Sequence, residues 1–157
     1  SIDSAEVLLG YDLFSGLEDE LEKEIEATYD YQQWLPDRQK NDVKAIDQKR
    51  LPKGALSTYS IYLFQDDGKK HTVCGKVVST KKTDAGHVFI NLDKQFPNQI
   101  FSISIFESSI VNFDYEPEVY LMNQEVCFKG EISEFNGTTS MVIDNGKQVK
   151  LLNEFGN

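Results

Sequence analysis

Hydrophobic and polar residues alternate in short runs along the second half of the chain, from about His71 to Leu152. One run spans Val88 to Asp93 and another spans Ile100 to Phe106, where serines separate the apolar residues. A period of two residues is typical of strands that bury one face. Such runs predict five strands, at 72–80, 88–93, 100–106, 126–135 and 140–145, with 148–152 closing the sheet. Residues 107–123 form the connection between the third and fourth strands.

The first half of the chain has a different period. Leu17, Leu21 and Ile25 recur every four residues behind a capping-box sequence that begins at Ser15, which predicts an amphipathic helix. We therefore expect an acidic helical extension over residues 1–53 and a β domain over residues 54–157. An extra leading strand is predicted at 57–65. The predicted fold class is α+β, mainly β, with a five-stranded barrel.

The strand segments also resemble a known family. The runs 73–80, 88–94 and 96–101, followed by 117–121, 126–130 and the turn at 135–137, are similar to the oligonucleotide/oligosaccharide-binding (OB) modules of bacterial, often exported, nuclease-associated proteins. The resemblance covers about half of the chain, residues 71–152. It implies an OB-type barrel, an oligomeric ligand and an exported or cell-envelope location. In that family the OB module accompanies a separate catalytic domain, so the resemblance does not imply nuclease activity here.

In OB barrels the ligand lies across the outward faces of the second and third strands, between the loop joining strands one and two and the loop joining strands four and five. Single-stranded nucleic acid requires aromatic rings for base stacking and cations for phosphates at that place. The predicted ligand-binding face consists of Lys76, Lys81, Lys82, His87, Phe89, Asn91, Ser102, Ser104, Phe106, Phe135 and Asn136.

The charge of the chain leaves two hypotheses open. The formal net charge is −10, and the first thirty residues hold ten acids and one base. Such a field repels polyanions, whereas proteins that bind duplexes without specificity are normally basic. The chain is therefore a binding module for single-stranded nucleic acid or another oligomer, or a protein-interaction or structural module of an exported or envelope protein. The exposure of Phe89 distinguishes the two hypotheses, because a ring buried under the helical extension cannot stack on a base.

The two cysteines, Cys74 and Cys127, fall on strands one and four, which are neighbours in an OB barrel. Both flank inward residues, so both are expected to point away from the barrel interior. A disulfide between them is compatible with this placement if their Cα atoms lie within about 7 Å, and so are two free thiols. A disulfide would favour an exported protein.

Catalytic motifs are missing from the sequence. The two histidines, His71 and His87, have no serine or cysteine motif beside them, and no phosphate-binding glycine loop occurs. No cysteine and histidine spacing suits zinc. We therefore predict a protein that is not an enzyme, without a metal site or a cofactor. No apolar run is long enough to span a bilayer.

Overall fold

The computed structural model describes residues 42–94, 101–135 and 138–155. The chain divides into two units after residue 40, and all described residues belong to the second. The predicted helical extension therefore lies outside the described residues up to residue 41. Its last part is not helical, because 42–47 have no regular structure and Gln48–Arg50 form a single 3-10 turn capped by Asp47. The boundary predicted at residue 53 falls inside the second unit, where Ile46 is already buried.

The described residues are mainly β, as predicted, but they form more strands than expected. A sheet of eight strands replaces the predicted five, and its hydrogen-bonded ladder does not close. One helical turn, α1, spans Pro117–Tyr120. The strands are β1 Leu56–Ser57, β2 Lys70–Lys82, β3 Val88–Leu92, β4 Phe101–Ile105, β5 Glu125–Glu131, β6 Ser133–Phe135, β7 Thr138–Val142 and β8 Val149–Leu151.

The long strand β2 connects the two parts of the sheet. Its first half, 70–76, pairs antiparallel with β5, and its second half, 77–82, pairs antiparallel with β3. The register with β3 shifts between Val77 and Ser79, which indicates a bulge. Because a bulge bends a strand and increases its twist, β2 can pair with β5 along its first half and with β3 along its second half.

The remaining strands extend the sheet from both sides of β2. On one side β3 pairs antiparallel with β4, β4 pairs parallel with β7, and β7 pairs antiparallel with β6. On the other side β5 pairs antiparallel with β8. Strands β5 and β6 are separated only by Ile132, which is buried. The two ends of the path β6-β7-β4-β3-β2-β5 are therefore consecutive stretches of the same chain.

The core lies on the inner face of this sheet. The inward residues of β2, β3 and β4, among them Val77, Ile90 and Ile103, are buried. They pack with Leu121, Phe128 and Met141 in one cluster. Inward and outward residues alternate along β3 and β4 because successive side chains of a strand point to opposite faces. The alternation in the sequence therefore located these strands to within one or two residues.

The predicted leading strand at 57–65 is wrong over most of its length. Only Leu56–Ser57 is a strand, pairing parallel with β2, and Ile61–Phe64 form a 3-10 turn. The amide of Ser60 donates to the carbonyl of Ser57, and that of Leu63 donates to the carbonyl of Ser60. Such bonds between residues three apart define a 3-10 turn, and they leave Ile61 buried with Leu63 exposed.

Candidate oligomer-binding site

The outward residues of β2, β3, β4 and β7 form a cross-strand row at one end of the sheet. Lys81 lies opposite Phe89, Phe89 lies opposite Ser104, and Ser104 lies opposite Val142. Paired residues of neighbouring strands share a face of the sheet. Lys81 and Val142 are exposed, whereas Phe89 and Ser104 are half-buried. We call this row, together with His87 and Phe106 beside it, the outer strip.

The rim of the outer strip is formed by an aromatic pair. Phe106 follows β4 and is 47% exposed, and its ring meets the ring of His87 edge-on at 5.6 Å between centroids. The ring of His87 is fixed because its Nδ1 accepts a hydrogen bond from the amide of Glu107 at 3.0 Å. Phe106 therefore presents its ring to solvent beside a positioned imidazole.

The loop between β2 and β3 holds this rim in place. The Thr83 amide donates to the carbonyl of His87, and the Thr83 hydroxyl accepts from the amide of His87. Gly86 has a φ of 94°, and a Cβ there would lie 2.8 Å from Cγ of Glu107. A glycine is thus required by both the left-handed backbone and the close approach of Glu107.

A second cross-strand row, the polar row, lies next to the outer strip on the same face. Asn91 donates to the hydroxyl of Ser79 at 3.0 Å and accepts from the hydroxyl of Ser102 at 3.0 Å. Asn91 is 6% exposed and Ser102 is 8% exposed, so the centre of this row is closed to solvent. Register continues the row across five strands through Ser79, Asn91, Ser102, Ser140 and Ser133.

The three lysines of the predicted face are separated by the structure. Lys81 lies on the outer strip. Its neighbour Lys82 points to the opposite side, as alternation requires, and its Nζ lies 3.9 Å from a carboxylate oxygen of Glu118. Lys76 belongs to the half of β2 that pairs with β5, where it lies opposite Glu125. The structure therefore places one of the three lysines beside Phe89.

The other predicted site residues are distributed as follows. Ser102 and Asn91 are on the polar row, while Ser104, Phe89, His87 and Phe106 are on the outer strip. Phe135 ends β6, and its side chain lies outside the described residues, as does Asn136. The sequence prediction missed Ser79, Ser140 and Val142, which register adds to the same face. Only the pairing of β4 with β7, a contact between distant segments, brings the last two there.

Asp93, at the end of β3, is a buried carboxylate that the site prediction also missed. Its side chain accepts hydrogen bonds from the Thr58 hydroxyl at 2.5 Å and from the Lys76 amide at 2.9 Å, and its carbonyl accepts from the Val43 amide. Burial raises the pKa of Asp93 to about 6, although both side-chain hydrogen bonds act to lower it. Asp93 thus links residues on both sides of β1, Val43 before it and Thr58 after it, to β2 and β3.

The structure joins Cys74 and Cys127 in a disulfide. The two residues lie opposite each other on β2 and β5, with their Cα atoms 4.0 Å apart. Both point away from the main core, but neither is exposed. Instead they are the centre of a second apolar cluster, in which they pack with Leu51, Ala55, Leu152 and Phe155.

The cysteines and histidines of the described residues are engaged in contacts within the chain. Both cysteines are bonded to each other, so no thiol is free to act as a nucleophile. His71 contacts Asp67, with Nε2 2.8 Å from Oδ2, and its ring packs on Phe64. No group of three or more metal-ligating side chains occurs in 42–94, 101–135 and 138–155. Within those same ranges, no helix has the length and apolar character needed to cross a membrane.

No protein-family model matches the sequence, and a search of curated proteins finds no match either.

Proposed function

We propose that the second unit is a non-catalytic, OB-type binding module whose outer strip binds single-stranded nucleic acid. An OB fold is a five-stranded, partly open barrel in which the first strand pairs with two others. The path β6-β7-β4-β3-β2-β5 supports this assignment, because β5 and β6 are one run of chain interrupted at Ile132. On this reading β1 and β8 are short additions to the barrel.

The proposal that the ligand is single-stranded nucleic acid rests on one observation. Lys81 and Phe89 lie directly opposite each other on neighbouring strands, with the exposed ring of Phe106 on the same face. A ring beside a cation is the minimal platform for one base and its phosphate, and a second ring offers a place for the next base. Phe89 is half-buried, so part of its ring is accessible for stacking.

The charges on this face predict weak but recognisable binding. Each stacked base contributes about 1–3 kcal/mol, whereas the net charge of −10 opposes the approach of a polyanion. With a single lysine on the outer strip, about one phosphate is neutralised. The slope of log K against log salt is then about −0.7, far shallower than for proteins that bind through many phosphates.

The test is a fluorescence-anisotropy titration with a labelled single-stranded oligonucleotide of about eight nucleotides, within the site size of one OB fold. Lys81→Ala should weaken binding and bring the salt slope close to zero. Lys82→Ala is the matched control, since it removes an adjacent lysine that faces Glu118 instead. Phe89→Ala should weaken binding by about 1–3 kcal/mol. Equal effects of Lys81→Ala and Lys82→Ala would refute the assignment, as would no binding at about 1 mM protein, because two stacked bases and one phosphate contribute only a few kcal/mol.

A second candidate is a protein-interaction or structural module of an exported or envelope protein. The buried disulfide favours this location, because disulfides persist in oxidising compartments. Two exposed apolar residues on α1, Val119 and Tyr120, favour a protein contact. If the oligonucleotide does not bind, this candidate replaces the first.

A further inference from the structure

The helix α1 exposes apolar residues on its solvent side. Pro117 and Leu121, four residues apart, are both buried, and Leu121 packs in the main core. On the other side Val119 is 64% exposed and Tyr120 is 47% exposed. A single helical turn is held in place by the packing of its buried side. The exposed residues on its other side therefore contribute little to its formation. Val119 and Tyr120 are adjacent and lie on a fixed element, so together they offer a small apolar contact area.

The ring of Tyr120 is held by a chain of aromatic contacts. Its centroid is 4.7 Å from that of Tyr115, and Tyr115 in turn meets Phe113 at 5.9 Å. Phe113 belongs to the main core. The accessible side of Tyr120 is therefore pre-organised, which lowers the entropy lost when a partner binds.

The surroundings of these rings are acidic. Between Phe106 and Asn123 the sequence contains four acids and no base. Asp114 and Glu116 are exposed. The pKa of the Tyr115 hydroxyl is raised, first by burial and then by electrostatic interaction with Tyr120, Glu154 and Asp114. Lys82 reaches this region from β2, where Glu118 pairs with it.

We infer that the surface formed by Asp114, Tyr115, Glu116, Val119, Tyr120 and Glu154, here called the α1 surface, docks a basic, arginine-containing segment of another protein. The guanidinium of arginine is planar and stacks on aromatic faces, so it fits the accessible ring of Tyr120 with the carboxylates around it. An apolar residue of the same segment would contact Val119. This surface is separate from the outer strip, and the inference does not depend on nucleic-acid binding.

The probe is a short fluorescent peptide of alternating arginine and leucine, titrated into the full chain and compared with a glutamate–leucine peptide. We expect saturable binding of the arginine peptide only. Tyr120→Ala should weaken it about fivefold, within the range of exposed cation–π contacts plus lost apolar contact. Tyr62→Ala is the matched control, because it removes a tyrosine of similar exposure, 40%, from the 3-10 turn before β2. Circular dichroism verifies that both variants remain folded.

The acidic first thirty residues are a competing site for any basic peptide. Backbone chemical-shift perturbations in the labelled full chain distinguish the two. We expect perturbations at 113–120 and at Glu154, and a loss of affinity in an Asp114→Asn, Glu154→Gln double variant that disappears at about 1 M salt, where charges are screened. Perturbations confined to residues 1–30 would overturn the inference. So would equal affinities of the Tyr120 and Tyr62 variants, or no binding at ~1 mM peptide.

Discussion

The two halves of β2 belong to one continuous strand but have different surroundings on their outward side. In the half that pairs with β5, outward Cys74 is buried beneath a second apolar cluster and bonded to Cys127. In the half that pairs with β3, outward Lys81 is exposed beside Phe89. The first half has both faces covered and so contributes to stability. The second has an accessible face and therefore carries the proposed binding site.

The largest effect should follow from removal of the disulfide. The bond closes a loop of 53 residues, and the loss of loop-closure entropy in the unfolded chain predicts a stabilisation of about 4 kcal/mol. A Cys74→Ala, Cys127→Ala variant should lose about this much free energy of unfolding, measured by urea denaturation. Affinity for the oligonucleotide should stay unchanged under conditions in which the variant is folded. A loss of affinity in the folded variant would contradict the division of β2 into two roles.

The next effect is pH-dependent and arises at the junction of the two halves, where Asp93 bonds to Lys76. Its pKa is about 6 in the folded chain, against an ordinary value of 3.8. Between these values the folded chain binds one more proton than the unfolded chain, so stability falls as pH rises from about 4 to about 6. The loss is complete above pH 6 and amounts to about 3 kcal/mol.

Asp93→Asn should therefore stabilise the protein by up to about 3 kcal/mol at pH 7.5 and have little effect below pH 4. Asparagine tolerates the left-handed backbone of this position, where φ is 66°, and can still accept from the Lys76 amide. Urea denaturation at both pH values measures the difference. The exposed Asp84→Asn is the control. An increase in the free energy of unfolding that is the same at both pH values would show that burial of the Asp93 charge is not its cause.

A smaller effect distinguishes the closed polar row from the exposed surface around it. Asn91→Ala removes the hydrogen-bond partner of the buried Ser102 hydroxyl and of the half-buried Ser79 hydroxyl, which costs about 1–3 kcal/mol. Asn112→Ala removes an exposed amide that donates to the carbonyl of Asp144 at 2.9 Å, and should cost less than about 1 kcal/mol. Thermal unfolding compares the two. Equal losses would mean that the polar row contributes no more than a surface hydrogen bond.

The sequence predicted the parts of this fold that depend on local pattern. The alternation in β3 and β4 identified both strands and their buried faces, because one side of each packs on the core. It failed at 57–65, where alternating apolar residues form a 3-10 turn, and it could not show that β7 would lie parallel to β4. The pairing of distant strands also determines which lysine reaches Phe89. From residue type alone, Lys76, Lys81 and Lys82 are equivalent. In the structure Lys76 lies in the half of β2 that pairs with β5, Lys82 contacts Glu118, and Lys81 lies opposite Phe89.

The most direct test of the central claim is a titration of the isotopically labelled full chain with the single-stranded oligonucleotide, followed by backbone chemical shifts. If the second half of β2 and its neighbours bind the ligand, the perturbed amides should include Lys81, Phe89, Ser104 and Phe106. The amides around Cys74 and Cys127 should remain unchanged. Perturbations centred on β5 and β8, or an absence of perturbations at saturating oligonucleotide, would contradict the assignment of binding to the outer strip.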